Sequence, residues 1–135
     1  MKLIILSDAF YDKYEKEREI LHKRNRPYVC LTIRVEDQTF AIPFRHHINH
    51  PFGFHTLGEA GLDFSKAVLI ESESYISHDK PRIETAEWNI VKRNEGTILF
   101  EFKKFLRQYK RAQLHPDNPR SSYFLKYSSL RYFDL

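Results

Sequence analysis

Tyr28-Val29-Cys30-Leu31-Thr32-Ile33-Arg34-Val35-Glu36-Asp37-Gln38-Thr39-Phe40-Ala41-Ile42-Pro43-Phe44-Arg45 is the stretch that decides the fold. Val29, Leu31, Ile33 and Val35 alternate with Thr32 and Arg34, which is the period of a half-buried strand. After Asp37-Gln38, a plausible tight turn, Phe40, Ile42 and Phe44 alternate again, so the two runs form a hairpin over about 28–45. Pro43 has no N–H to give a ladder and belongs at an edge or on the last rungs.

Outward from this hairpin, Leu3–Leu6 is a short buried strand. Ser7 or Asp8 can cap a charged surface helix that runs to about His22, and Asn25-Arg26-Pro27 ends it. From His46 to Gly61 the periodicity dissolves into an irregular surface segment holding Pro51 and three of the four glycines. Ala67–Ile70 is a buried strand, and Tyr75-Ile76 and Arg82-Ile83 are candidates for short edge strands. Thr85 can cap a helix over 86–93, Glu95-Gly96 separates it from the next, and 97–113 places its apolar residues at the helical period. After a proline-containing loop over 115–120, Ser121 or Ser122 starts a final short helix. The order predicts one α+β domain over 1–135, a mainly antiparallel sheet flanked by helices.

Bulk composition bounds the function. A chain of 135 residues, 41% hydrophobic and with 11 Phe and 8 Tyr, can bury a core without covalent staples. Cys30 is the only cysteine and sits in an apolar run, as a buried small hydrophobe rather than a nucleophile. The apolar run 3–6 is too short for a signal core or a membrane span, so a soluble cytoplasmic protein is expected, with no membrane partner. A net charge of +4 favours an acidic partner, with RNA or DNA first, without requiring one.

Chemistry concentrates in Phe44-Arg45-His46-His47-Ile48-Asn49-His50, with His55 just beyond; four of the seven histidines fall in ten residues. Cleaving RNA by its own 2′-hydroxyl needs a base, an acid and a cation on the phosphorane. Histidine titrates near neutrality and arginine matches two phosphate oxygens, so Arg45 with His46, His47 and His50 supplies these groups without a metal or other cofactor. Strand alternation puts Arg45 and His47 on one face and His46 on the other, so either the strand ends at Arg45 or one histidine is structural. The same residues also fit a solvated or packed histidine loop, or a metal site using His46 and His50 or His47 and His50, although no Cys or carboxylate stands beside them to complete it.

Candidate RNA contacts are Asn49, His55 and the basic helix residues Lys103, Arg107 and Lys110, which equally suit a solvated helix face. Lys66 either reaches a phosphate or closes a strand, and Tyr28 either stacks a base or covers the core edge.

Phe40-Ala41-Ile42-Pro43-Phe44-Arg45, then His47-Ile48 and His50, then Gly61-Leu62-Asp63-Phe64-Ser65-Lys66-Ala67-Val68 resemble the TenpN toxins of type III toxin–antitoxin systems. Arg26-Pro27-Tyr28 and the lysine-rich helix fit as well, and the resemblance covers most of the chain. It implies kinship with the ToxN, AbiQ and CptN toxins: a compact core with a strongly twisted antiparallel sheet, similar to that of MazF and Kid. It implies a metal-independent endoribonuclease that leaves a 2′,3′-cyclic phosphate on target RNA such as mRNA. It further implies inhibition by an antitoxin RNA of pseudoknot repeats that the toxin itself processes, cyclic toxin–RNA assemblies, and abortive defence against phage. In the ToxN group the catalytic residues follow the Ala-x-Pro strand, which corresponds here to Arg45 and His46. That group uses hydroxyl residues and a lysine there, whereas Arg45-His46-His47 and Ile48 in this chain imply histidine–arginine chemistry for the same reaction. The rival readings are a non-catalytic basic RNA-binding protein, a metal-dependent nuclease using the His46–His50 cluster, and a structural or protein-binding domain.

Overall fold

The computed structural model describes residues 1–21 and 28–135. Its centre is the hairpin of β2 (Val29–Val35) and β3 (Gln38–Arg45), registered from Cys30 opposite Pro43 to Val35 opposite Gln38. Glu36, in the two-residue turn, takes a left-handed φ of 56°, the conformation that tight hairpin turns demand. β1 (Leu3–Ile5) pairs with β2, while β5 (Gly61–Asp63) and β6 (Val68–Leu69) both pair with β3; β4 (Gly53–His55) closes the far edge on β5. All these pairings are antiparallel, in a six-stranded sheet. Pro43 sits on the last rung of the β2–β3 ladder, beyond the rungs of β6 at 40–41 and before those of β5 at 44–45. A missing N–H is tolerated in that gap.

The central strands are buried on both faces, where alternation predicted one. Cys30, Leu31, Thr32 and Ile33 are all buried, as are Phe40 through Phe44. On one face, α2 (Thr85–Arg93) leads through Asn94 into α3 (Glu95–Leu114), and Phe102 of α3 meets Phe40 edge-on at 5.2 Å and Phe64 at 5.4 Å. On the other face Tyr11, Ile20 and Tyr28 gather around Cys30, Ala41 and Pro43. Burial pushes the Cys30 thiol up to about 12, so it stays protonated and inert through the neutral range.

Several boundaries differ from the sequence reading. The first helix, α1, covers only Asp8–Lys13, with Ser7 as its N-cap. Continuing it would turn Glu17 and Arg18 onto the face of Phe10 and Tyr14; two successive turns instead bring Ile20 into the core. The predicted helix end and the Asn25-Arg26-Pro27 break lie outside the described residues. Ile76 makes an isolated bridge with Leu6, and no strand forms at 82–83. Gly96 lies inside α3 instead of separating two helices. The segment 46–61 is not irregular throughout, because β4 lies within it and its last residue, Gly61, opens β5, the hairpin partner of β4; three-residue strands carry too few alternations to read. The chain ends in α4 (Ser122–Tyr127) and a 3-10 turn over Ser129–Tyr132, packed on α3 and on the 64–67 turn. Among the described residues no helix is long and apolar enough to cross a membrane.

The β4–β5 hairpin depends on glycine. A Cβ on Gly61 would overlap the Phe54 carbonyl oxygen, and one on Gly53 would come within 2.5 Å of the Leu62 oxygen. Gly61→Ala is therefore expected to destabilise the fold by about 1–3 kcal/mol. Denaturant unfolding monitored by circular dichroism would check this, and an unchanged midpoint would refute the close-approach argument.

Candidate functional site

The candidate site forms where the end of β3 meets the start of its antiparallel neighbour β5. Phe44 pairs with Leu62 and Arg45 with Gly61, so Asp63, two residues on from Gly61, shares the face of Arg45 as its diagonal cross-strand neighbour. Asp63 is completely buried. A carboxylate removed from water needs charged and hydrogen-bonded partners, and three chain segments supply them. Arg45 Nη1 donates to Oδ2 at 3.0 Å. Oδ1 receives the Ser65 hydroxyl at 2.6 Å, the Ser65 backbone N–H at 3.0 Å and His50 Nε2 at 3.1 Å. The guanidinium is thereby fixed from behind while a third of the Arg45 side chain faces solvent.

His50 is held at both ring nitrogens. The Phe52 backbone N–H donates to its Nδ1 at 3.1 Å. That nitrogen must offer a lone pair, which places the ring proton on Nε2, facing Asp63 and, at 3.4 Å, the Ser65 hydroxyl. Tyr123 of α4 completes the cluster, its ring 4.6 Å from Phe52 and 5.9 Å from His50. Burial raises the Tyr123 phenol above its ordinary value; the Ser65 side chain and Arg45 oppose the shift and Asp63 adds to it. The phenol is thus a neutral hydrogen-bonding group at physiological pH.

The other predicted residues are placed as follows. The strand ends at Arg45, and His46 and His47 follow in exposed chain. His47 Nδ1 lies 2.8 Å from a Glu59 carboxylate oxygen, in a pair that is itself mostly exposed. Asn49 is exposed, while Ile48 is buried and pins the loop, its N–H donating to the Glu59 carbonyl. His55 donates through Nε2 to the Ile48 carbonyl at 3.2 Å.

Two sequence expectations fare differently. Lys66 does not offer a free ammonium: its side chain is 15% exposed and binds Glu19 at 2.7 Å and the Tyr127 carbonyl at 2.9 Å, which closes the strand end. Tyr28 is partly buried at the core edge beside Cys30 and Pro43. Lys103, Arg107 and Lys110 are exposed, but on the flank of α3 that also carries Phe100 and Leu114. The flank turned toward Phe52 carries Glu101, Lys104 and Gln108 instead. The helix therefore does not bring its predicted trio to the Arg45 cluster. Among the described residues no three His, Cys, Asp or Glu side chains are grouped as metal ligands would be.

Sequence reasoning missed Asp63, Ser65 and Tyr123 as site residues. For Asp63 a signal existed: a carboxylate between Leu62 and Phe64 in an apolar run must find a buried cation or donors. Tyr123 carried none, because only the packing of α4 brings it there.

No family model, no curated protein and no solved structure matches the chain.

Two outcomes follow from this geometry. Asp63→Ala leaves a half-buried guanidinium and the Ser65 and His50 donors without an acceptor, and should cost about 2–4 kcal/mol by chemical denaturation; a loss below about 0.5 kcal/mol would contradict the pairing. Nitrogen-15 NMR of the neutral His50 ring should show a proton on Nε2 and a bare Nδ1; the opposite tautomer would break the assigned network.

Proposed function

We propose that this protein is a metal-independent endoribonuclease, a toxin of the type III toxin–antitoxin class restrained by its own antitoxin RNA. The observation that carries the reading is the Arg45 guanidinium, fixed by a buried carboxylate yet open to solvent, directly before two exposed histidines. A cation held in place before substrate arrives needs little reorganisation to stabilise a phosphorane. The likeness of 40–50 and 61–68 to the TenpN toxins supports the same reaction, the pseudoknot RNA partner and a role in phage defence.

The roles divide by hydrogen bonding. Arg45 binds the non-bridging phosphate oxygens. His47 turns Nδ1–H to Glu59, which leaves the Nε2 lone pair to accept the proton of the attacking 2′-hydroxyl. His46 gives a proton to the departing 5′-oxygen, so the strand breaks into a 2′,3′-cyclic phosphate and a 5′-hydroxyl end. His50, with both nitrogens committed, positions Asp63 and the loop. The second reading, a basic RNA-binding protein without catalysis, draws on the same commitment of His50, the most enclosed of the four clustered histidines.

The test is cleavage of a long unstructured RNA in excess EDTA, with product ends mapped. The expected result is cyclic-phosphate ends and a bell-shaped rate between about pH 5 and pH 8, both lost in Arg45→Lys, which keeps a cation on Asp63 but removes the fork that holds two phosphate oxygens. A substrate with a 5′-thio leaving group needs no acid, so it should restore cutting by His46→Ala and not by His47→Ala. Intact RNA bound to folded protein would favour the second reading, and activity that requires added divalent metal would refute the mechanism.

A further inference from the structure

A groove of about 160 Å³ lies between the 51–53 segment and α3. Phe52, Phe64 and Phe105 form its floor, and Glu101, Lys104 and Gln108 line its helical rim. Phe52 joins it to the Arg45 cluster: the ring that borders the groove also lies 6.1 Å from the His50 ring and 5.9 Å from Phe105. The chemistry of the lining selects an occupant. An aromatic floor favours a flat ring system. Its rim presents an acceptor-only group in Glu101, a donor-only group in Lys104 and an amide that is both in Gln108, spaced along one flank of the helix. That set matches the mixed donor and acceptor edge of a nucleobase, whereas Glu101 would repel a phosphate and a purely apolar guest would leave the polar rim unused.

We infer that this groove is a nucleobase subsite, seating the base of a nucleotide next to the phosphate at Arg45, with Gln108 and Glu101 reading its edge. The inference rests on the proposed contact with RNA and adds the determinant of sequence preference.

The experiment measures binding of four 2′-O-methyl homopolymer tetranucleotides, which cannot be cut, and maps backbone amide shifts by NMR. In parallel, cleavage of a randomised RNA is sequenced. One base should bind at least about tenfold tighter, as one good base-edge pairing provides. Amide shifts should gather at Phe52, Glu101, Lys104 and Gln108, and the same base should dominate beside the cut. Gln108→Ala, an exposed helix position, should reduce that preference about tenfold, and Glu101→Gln should change which base is preferred. Equal affinities for all four bases, or a preference unchanged in both variants, would overturn the subsite. Selective binding in the groove without any cutting would leave the subsite standing and remove the nuclease; cutting that ignores both variants would do the reverse.

Discussion

A carboxylate with no exposure organises this end of the molecule. A carboxylate there without partners would lose more in hydration than the whole stability of a small domain. The donors to Asp63 come from the end of β3, the loop at His50 and the turn at Ser65. Satisfying one anion therefore fixes three chain segments relative to each other. The network is complete in that sense: among the described residues no buried side-chain nitrogen or oxygen lacks a partner. Arg45 is the member with spare capacity, since one nitrogen faces Asp63 and the rest of its fork is available to a ligand.

The aromatic core gives that network its rigidity. Phe64, one residue after Asp63, packs on Phe102 and Phe105 of α3, and Phe52 packs on Phe105, Tyr123 and Phe124. The loop that bears His50 is thus clamped between the sheet and two helices, although it reads as polar and proline-broken. Ser129 reaches the Ala67 carbonyl at 2.5 Å, so the C-terminal turn also braces the strand that follows the site. Strain or looseness in α4 would reach Arg45 through these contacts rather than through the backbone.

The parts of the fold that were legible in sequence are those with long periods. The 28–45 hairpin, the 67–70 strand and α3 declare themselves over seven or more residues or through unbroken apolar runs. The β4–β5 hairpin did not, since two strands of three residues are specified by glycine close approach and not by alternation. Burial on both faces of β2 and β3 was hidden for a related reason: small residues such as Cys30 and Ala41 fill one face under Tyr11 and Ile20, and alternation counts only large hydrophobes. Of the candidate site, Arg45 and the clustered histidines were visible as residue types. What sequence could not divide was their labour: His50 turned inward, His46 and His47 outward, Lys66 consumed by Glu19. Those outcomes depend on which side chain meets a carboxylate, and the carboxylates sit on other elements.

The distribution of charge on α3 connects these observations. The helix turns Glu101 and Gln108 to the groove beside Phe52, and its outer surface runs from Lys104 and Arg111 to Arg107, Lys103 and Lys110. Basic residues are therefore absent from the floor of the groove: Lys104 stands on its rim and the others lie beyond it. On the proposed reading a polyanion held at Arg45 has the groove as its neighbour, and the basic flank of α3 lies beyond the groove's helical rim. The proposed RNA strand, a charged backbone carrying flat neutral rings, suits that arrangement.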